Sequence, residues 1–526
     1  MTAPRLDAVQ RALGESGVTG VSASSPTALH GRAPASQMLA IAARLAPLGL
    51  EPQLMAATHE RGGAGAFTLT YVFAPPTARP TVTVLAAVPA DAPCFPSLAT
   101  RSFAASRFER EIHDLFGLVP TGHPDLRRLA LHQFWPADYH PLRRDAVARR
   151  DFRDEGQPFP FRRVEGEGIF EITVGPVHAG VIEPGHFRFS VEGETIVNLE
   201  TRLGFVHKGV EKLFETLPFE RTVELAERVS GDESVAHALA YCQALEALAG
   251  VEIPPRAAWL RLVLLELERL YNHVGDVGMI VNDTGFAFGH AHCFRVRETL
   301  MRVNERLTGH RLLRGAIVPG GVAGPVVDAD LTAVAGEVER LVAEFFEVAG
   351  VCLDNTMVLE RLQGTGRLTT VTAREMQVVG LVGRASGIDA DARRDAPYAA
   401  YDQVEVAVPV YAAGDVWARA MVRLDEAREA ARLIGLAAAP GRPGAPRTEL
   451  PALPPGAHAL GLVEAWRGPV WYWVLADDER SVGRVKVVDP SFRNWPALEY
   501  AVLKNIVPDF PLCNKSFNLS YSGSDL

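Results

Sequence analysis

The rhythm of hydrophobic and polar positions changes three times along this 526-residue chain. In the first stretch the period is short. Phe67, Leu69, Tyr71 and Phe73 recur at every second position, which predicts a half-buried strand from Gly65 to Phe73. A proline-rich turn follows, and Thr81 to Val88 is predicted to return as the second strand of a hairpin. Gln37 to Leu48 has amphipathic helical spacing. Phe108 to Phe116 predicts a helix closed by Gly117, a residue suited to a helix C-terminus.

From Trp135 to Arg163 the periodicity fades into proline, arginine and aspartate, the composition of a linker. Phe159, Phe161, Trp135 and Tyr139 are the anchors expected to hold it extended along a surface. Beyond it, Ile169 to Val174 and Phe187 to Val197 read as strands, with Glu192-Gly193-Glu194 as the turn of a second hairpin. The period then lengthens. Helices are predicted over Arg221–Ala249, Arg256–Val281, His290–Leu307, Asp328–Leu353, Ala373–Val382 and Asp415–Ile434. A proline- and glycine-rich loop from Ala439 to Pro455 leads to a last β-rich stretch, Ala459 to Val488. This order predicts an α+β chain in three parts. Residues 1–145 form a small α/β domain, 146–165 a linker, and 166–526 a small β-sheet followed by a bundle of long helices.

Composition narrows the functional classes. Hydrophobic residues make up 48% and charged residues 22%, enough for a large core. A net charge of −10 argues against nucleic acid as a partner. The first residues lack the apolar run of a secretory signal, and no stretch reaches the ~18–20 apolar residues of a membrane span. Ala257 to Val281 is the most apolar helix candidate, yet it carries Arg261, Glu266, Glu268, Arg269 and Asp276 and reads as a core helix. A cytoplasmic location is therefore expected, with any membrane attachment made through partners. The five cysteines (Cys94, Cys242, Cys293, Cys352 and Cys513) include no Cys-x-x-Cys pair, so local spacing indicates neither an iron–sulfur cluster nor zinc. They read as buried small hydrophobes. No Gly-x-Gly-x-x-Gly follows a strand to bind a nicotinamide cofactor.

Two segments carry longer signatures. Phe108-Glu-Arg-Glu-Ile-His-Asp-Leu-Phe-Gly117, with Gly122-His-Pro-Asp-Leu-Arg-Arg-Leu129, resembles the 30-kDa subunit family of complex I. That family carries no cofactor, so the resemblance implies a structural corner in which Arg127 and Arg128 answer Glu109, Glu111 and Asp114. The second segment comprises Gly175-Pro-Val-His178, Glu183-Pro-Gly-His-Phe-Arg188 and Phe205-Val-His-Lys-Gly-Val-Glu-Lys-Leu213. Glu266-x-Glu-Arg-Leu270, Phe294-Arg-Val-Arg-Glu298, Arg384-Ala-Ser-Gly387 and Asn494-Trp-Pro496 extend it. Together these resemble the 49-kDa subunit of complex I and, more closely, the large subunit of formate-hydrogenlyase and hydrogenase-4 type [NiFe] hydrogenases.

The resemblance implies a place for chemistry and shows that its ligands have changed. In hydrogenase large subunits four thiolates from two Cys-x-x-Cys motifs hold nickel, soft ligands that oxygen donors do not replace. Here the first motif reads Arg228-Val-Ser-Gly-Asp-Glu233 and the second Ser520-Tyr-Ser-Gly-Ser-Asp525. The ligand positions are Ser230, Glu233, Ser520 and Gly523, so no bound metal and no hydrogenase activity are expected. Precursors of such hydrogenases extend past the second motif and are trimmed, and the stop at Leu526 carries the expectation that nothing is removed.

The complex I side of the resemblance implies a quinone site built from a histidine on the first hairpin and a tyrosine at the former metal position. His178 matches the histidine. Gly231 stands at the tyrosine position, and His186 lies two residues beyond the place of a second histidine. In the vacated pocket the candidate quinone or proton site is His178, Asp232, Glu233 and His237. The plainer reading of Asp232–Glu233 is a solvated helix start.

The expected role is a core subunit of a complex I-like, NADH:quinone oxidoreductase-type assembly on the cytoplasmic face of the inner membrane. It would couple electrons from a small Fe–S subunit to quinone reduction or proton translocation, beside integral membrane antiporter-like and quinone-module subunits. The cluster would sit in the partner, and quinone would be a substrate rather than a resident cofactor. The alternative is an inert scaffold that docks the Fe–S subunit onto the membrane subunits.

Overall fold

The computed structural model describes residues 6–60, 66–148, 152, 156, 158–179, 182–439, 444–478 and 481–526. In it the strand Pro469–Asp478 organises the assembly, because each of its faces is buried in a different core. Successive side chains of a strand point to opposite faces. Val470, Tyr472, Val474 and Ala476 enter a large helical core, while Trp471 and Trp473 enter the core of an N-terminal sheet. A strand covered on both sides reads as one continuous apolar run.

The N-terminal sheet has five strands: β1 (Thr19–Ser25), β2 (Ala28–Arg32), β3 (Glu51–His59), β4 (Phe67–Ala74) and β5 (Thr81–Val88). Their order is β1-β2-β5-β4-β3. Only β2 and β5 run parallel. The expected hairpin is β4 with β5, Tyr71 opposite Val84; Gly65, its proposed first residue, lies outside the described residues. Helix α1 (Phe103–Phe116) starts five residues earlier than its apolar spacing predicts, because Ser102 caps it by accepting from the Ala105 amide. It ends at Gly117 in the left-handed region, as predicted.

The linker candidate lies against the surface where it is described. Arg202 lies 4.8 Å from the ring centroid of Phe159 and Arg188 4.3 Å from that of Phe161, while Trp135 packs on Phe152 within the segment at 4.6 Å. Then come β6 (Ile169–Val174), β7 (His186–Glu192) and β8 (Thr195–Arg202), an antiparallel sheet with β7 in the middle.

The helical part is built from α2 (Val210–Thr216), α3 (Ser234–Ala249), α4 (Pro255–Asp283), α5 (Ala287–Thr308), α6 (Leu331–Leu353) and α7 (Val416–Ala437). At 1.5 Å per residue, the 29 residues of α4 span ~43 Å, and the helix is buried nearly all round. Its charges are paired: Arg261 donates to both carboxylate oxygens of Glu246, and Asp276 meets Arg423 at 2.8 Å. Among the described residues no helix is long and apolar enough to cross a membrane. Strands β9 (His458–Glu464), β10 (Pro469–Asp478) and β11 (Ser481–Val488) lead to α8 (Pro490–Ala501), α9 (Phe510–Phe517) and α10 (Tyr521–Asp525).

Three expectations are corrected. Arg221–Ala249 is not one helix: a short helix stops at Ala226, the chain turns through Ser230-Gly231, and α3 starts at Ser234. The predicted helix Ala373–Val382 is two helices, Thr370–Glu375 and Gly380–Ala385, parted at Gln377, whose φ of 54° is left-handed. Gly380 is required there, since a Cβ would lie 1.9 Å from the Arg467 carbonyl oxygen. Four cysteines are buried as expected, but Cys94 is exposed.

Candidate functional site

The break before α3 builds the site. With no helix across Ser230-Gly231, the chain doubles back and brings Ser230, Asp232 and Glu233 beside the last turn, Ser520–Asp525. Ser230 Oγ and Ser520 Oγ are 2.8 Å apart although 290 residues separate them. The proton positions can be argued from the partners. The Gly523 amide donates to Ser520 Oγ at 2.9 Å, and Ser230 Oγ donates to Asp232 Oδ1 at 3.0 Å. Ser520 therefore gives its proton to Ser230, and the chain of donors ends on the Asp232 carboxylate.

A guanidinium is at the centre of this group. Arg467, which follows β9, donates to both oxygens of Asp232 at 2.8 Å and lies 3.1 Å from Glu233 Oε2. Its plane stacks on Trp466, 3.8 Å from the ring centroid. Gly380 passes against the Arg467 backbone and helps fix its direction. Asp489, which caps α8 by accepting from the Ser491 amide at 2.6 Å, closes the remaining side. A Cβ on Gly523 would lie 2.2 Å from Asp489 Oδ2. His237 bridges Asp489 at 3.1 Å and the Tyr472 hydroxyl at 3.0 Å. Glu268, from α4, accepts the Val235 and Ala236 amides at the open end of α3 at 2.6 and 3.1 Å.

The electrostatics separate the carboxylates. Burial pushes the Glu233 carboxyl well up; Arg467 opposes this, but Asp489, Asp232 and Glu268 add to it. Burial also raises Glu268, to about 8, against the two amides that stabilise its anion. Asp232 and Asp489 go the other way. Burial disfavours their charge, yet Arg467 outweighs it at Asp232, and His237 and Arg467 do so at Asp489, holding both below the usual carboxylate range. Burial thus favours the neutral forms of Glu233 and Glu268, while Asp232 and Asp489 are held toward their ionised forms.

Three of the four sequence candidates meet here. Asp232, Glu233 and His237 share the group, and Glu233 is fully buried, so these two acids are not a solvated helix start. Asp232 keeps 36% of its side chain exposed and forms the outer edge. His178 does not join them. Its ring bonds to the Gly185 carbonyl oxygen at 2.8 Å and packs toward Phe187, holding the ends of its own loop together. Sequence reasoning missed Arg467, Asp489, Glu268 and Tyr472. Glu268 lay in a quoted motif, and Asp489-Pro490 is a helix-start signal, but nothing local in the sequence brings Arg467 to Asp232.

The donor set does not fit a nickel–iron centre. The four positions that the resemblance matches to metal ligands supply two hydroxyls already committed to hydrogen bonds, a glycine and a carboxyl, with a guanidinium among them. Glu233, His237 and Asp489 place one donor atom each within 4.8 Å of one another, but a cation, Arg467, already lies 3.1 Å from Glu233 Oε2 in that corner.

Comparison with known proteins gives consistent results. The family of the 30-kDa subunit of respiratory-chain NADH dehydrogenase matches residues 34–151, and that of the 49-kDa subunit matches residues 283–449. Formate hydrogenlyase subunit 5 of Escherichia coli K12 is 36% identical over 454 residues, covering 84% of this chain and 79% of that protein. Hydrogenase-4 component G of the same organism is 36% identical over 449 residues, covering 84% and 78%. Among solved structures, a chain of the membrane-bound sulfane sulfur reductase, an archaeal respiratory membrane complex, superposes with a TM-score of 0.64 at 27% identity. The match covers 68% of this chain and 99% of that one.

Proposed function

The chain belongs to the family that joins 30-kDa- and 49-kDa-type complex I subunits in one polypeptide, with formate hydrogenlyase subunit 5 and hydrogenase-4 component G as members, and from that premise we propose that it is a core subunit of a membrane-associated, complex I-like oxidoreductase complex. In this reading a small Fe–S subunit passes electrons nearby, and the vacated metal pocket takes up and releases protons in step. Attachment to the cytoplasmic face of the membrane is made through integral membrane partners. The observation that carries the proposal is the buried group Asp232–Arg467–Glu233–Asp489–His237, in which one guanidinium faces three carboxyls. A buried acid held neutral beside ionised neighbours is a proton store, and Asp232 connects it to the outside.

Proton coupling is favoured over quinone binding inside the pocket, because serine, aspartate and arginine side chains close on one another there. The second reading, a scaffold without chemistry, is favoured by the same close packing and by the ionic joint between the two lobes. At that joint Lys486 bridges Glu111 and Glu211 at 2.8 and 2.9 Å.

The test is to purify the intact complex with Glu233→Gln and with His178→Ala, and to measure electron transfer to its acceptor and proton uptake. Proton-coupled turnover is expected to fall at least tenfold in Glu233→Gln with assembly intact, and to be unchanged in His178→Ala. Full turnover in Glu233→Gln leaves the scaffold. Loss of quinone turnover in His178→Ala moves the chemistry to the hairpin.

A further inference from the structure

Away from the vacated pocket, a cavity of about 220 Å³ opens where the N-terminal lobe, the linker and the second sheet meet. His132 and Phe134 come from the first, Phe159 and Phe161 from the linker, and His186, Arg188 and Arg202 from β7 and β8, with Phe205 just beyond. No role described above uses it. Two properties of its lining define what it accepts.

The first is charge. Arg188 and Arg202 are permanent cations, and no carboxylate lines the cavity. Arg188 has one ion-pair partner among the described residues, Glu171 at 3.2 Å, itself partly exposed. Arg202 is only 5% exposed and makes no carboxylate contact among the described residues. Its guanidinium donates instead to the carbonyl oxygens of Leu129 and Leu131, at 2.5 and 2.7 Å. The Nε atoms of Arg188 and Arg202 and Nε2 of His186 are buried without a hydrogen-bond partner. A buried donor left unpaired is costly, and a cavity with surplus positive charge favours an anion.

The second is shape. Four phenyl rings line the space. Arg188 lies 4.3 Å from the centroid of Phe161, and Arg202 lies 4.8 Å from that of Phe159, so both guanidiniums are held in place by aromatic faces. Phe134 and Phe205 meet His132 with ring centroids 6.1 and 4.4 Å away, yet remain 40% and 37% exposed, and the exposed part of each ring can meet an incoming one.

We propose that this cavity is a binding site for a small planar anion, an aromatic carboxylate in chemical class, whose ring packs on Phe134 and Phe205 and whose carboxylate pairs with Arg188 and Arg202. The site draws on all three parts of the chain, so its occupancy would report on the packing of the two lobes.

The probe is benzoate, titrated into the full chain by calorimetry, with benzamide as its neutral counterpart and inorganic phosphate as an anion without a ring. One benzoate per chain is expected, with benzamide and phosphate each binding about tenfold more weakly or less. Arg188→Gln is expected to weaken benzoate about tenfold. Phe205→Ala, a change at an exposed ring that leaves the fold intact, is expected to weaken it severalfold while leaving phosphate unaffected. Equal affinity for benzamide overturns the anionic assignment, and equal affinity for phosphate overturns the aromatic one. Benzoate binding that is absent, or unchanged in Phe205→Ala, overturns the site.

Discussion

Two buried charge clusters lie on either side of the β9–β10 turn, and they are balanced differently. In the first, Arg269, Arg384 and Arg393 face Glu266, Glu426, Asp391 and Glu464, three guanidiniums to four carboxyls. His273 reaches Glu426 at 2.9 Å, and the Tyr401 hydroxyl caps Glu266. In the second, Arg467 is the one guanidinium among the described residues that pairs with Asp232 and Glu233, with Asp489 beside it and Glu268 behind them. Both clusters are desolvated, so the ratio of guanidiniums to carboxyls decides their chemistry. Where arginines nearly match the acids, most of the charge is fixed and the cluster acts as architecture, although burial and Asp391 still push the Glu464 carboxyl up to about 7. Where one arginine serves three acids, burial favours a proton on at least one of them. This difference separates a structural network from a proton-holding one with no appeal to ancestry.

The comparison is broken most directly at Arg384. It donates to Glu426 at 3.0 Å and to Glu464 at 2.8 Å, and all three are fully buried. Arg384→Met takes the paired cation from Glu464 and leaves Glu426 to Arg269 and His273, and the expected cost is about 3–5 kcal/mol, read as a lower midpoint in chemical denaturation. A loss under ~1 kcal/mol would mean the network is not held by its charges.

Arg467→Met should cost less, about 1–3 kcal/mol, although its contacts are as short. Asp232 is 36% exposed and can turn to water, and Glu233 can keep its proton. The loss should also depend on pH. The depressed Asp232 contributes stability that is present above its unfolded value and lost as pH falls through its folded value. The two proteins should therefore converge in acid. Parallel stability curves from pH 3 to 7 would remove Asp232 as the partner that matters.

Much of this was legible beforehand, for physical reasons that can be named. The hairpin β4–β5, the helix end at Gly117 and the buried character of α4 follow from local period and local caps, which a single sequence carries. The breaks at Ser230-Gly231 and Gln377 were missed because the apolar spacing runs through both. At the second, backbone approach decides it, and that approach is visible only once Arg467 lies against Gly380. The site was half legible. Resemblance placed Ser230, Glu233, Ser520 and Gly523 together, and they do converge. Arg467, the cation at the centre of the group, is more than 230 residues from Asp232 in sequence, where neither spacing nor composition points to it.

Glu268 sharpens the contrast through pH alone. Its carboxyl is raised from 4.5 to about 8. Between those values the folded chain binds a proton that the unfolded chain has released, so stability falls as pH rises across that window and levels off above it. Glu268→Gln removes this term. The variant should show a flatter stability curve from pH 5 to 8, even where its absolute stability is lower because a glutamine oxygen cannot serve the Val235 and Ala236 amides as a carboxylate does. An unchanged slope would mean that Glu268 is ionised throughout.

The smallest expected change is also the most discriminating. If Glu233 holds a proton in the folded state, glutamine is close to its isostere, and Glu233→Gln should alter stability at pH 7 by less than ~1 kcal/mol. If Glu233 is instead ionised and paired with Arg467 as the acids of the other cluster are paired, the substitution removes half of a buried ion pair and should cost about 3–5 kcal/mol. The two outcomes are well separated, and denaturation of one variant decides between them. The same variant tests function, because a side chain that fits the space but cannot release a proton should leave the complex assembled and its proton uptake impaired. Turnover would then fall while folding energy stays nearly constant, a split that the more evenly paired cluster around Arg384 is not expected to show.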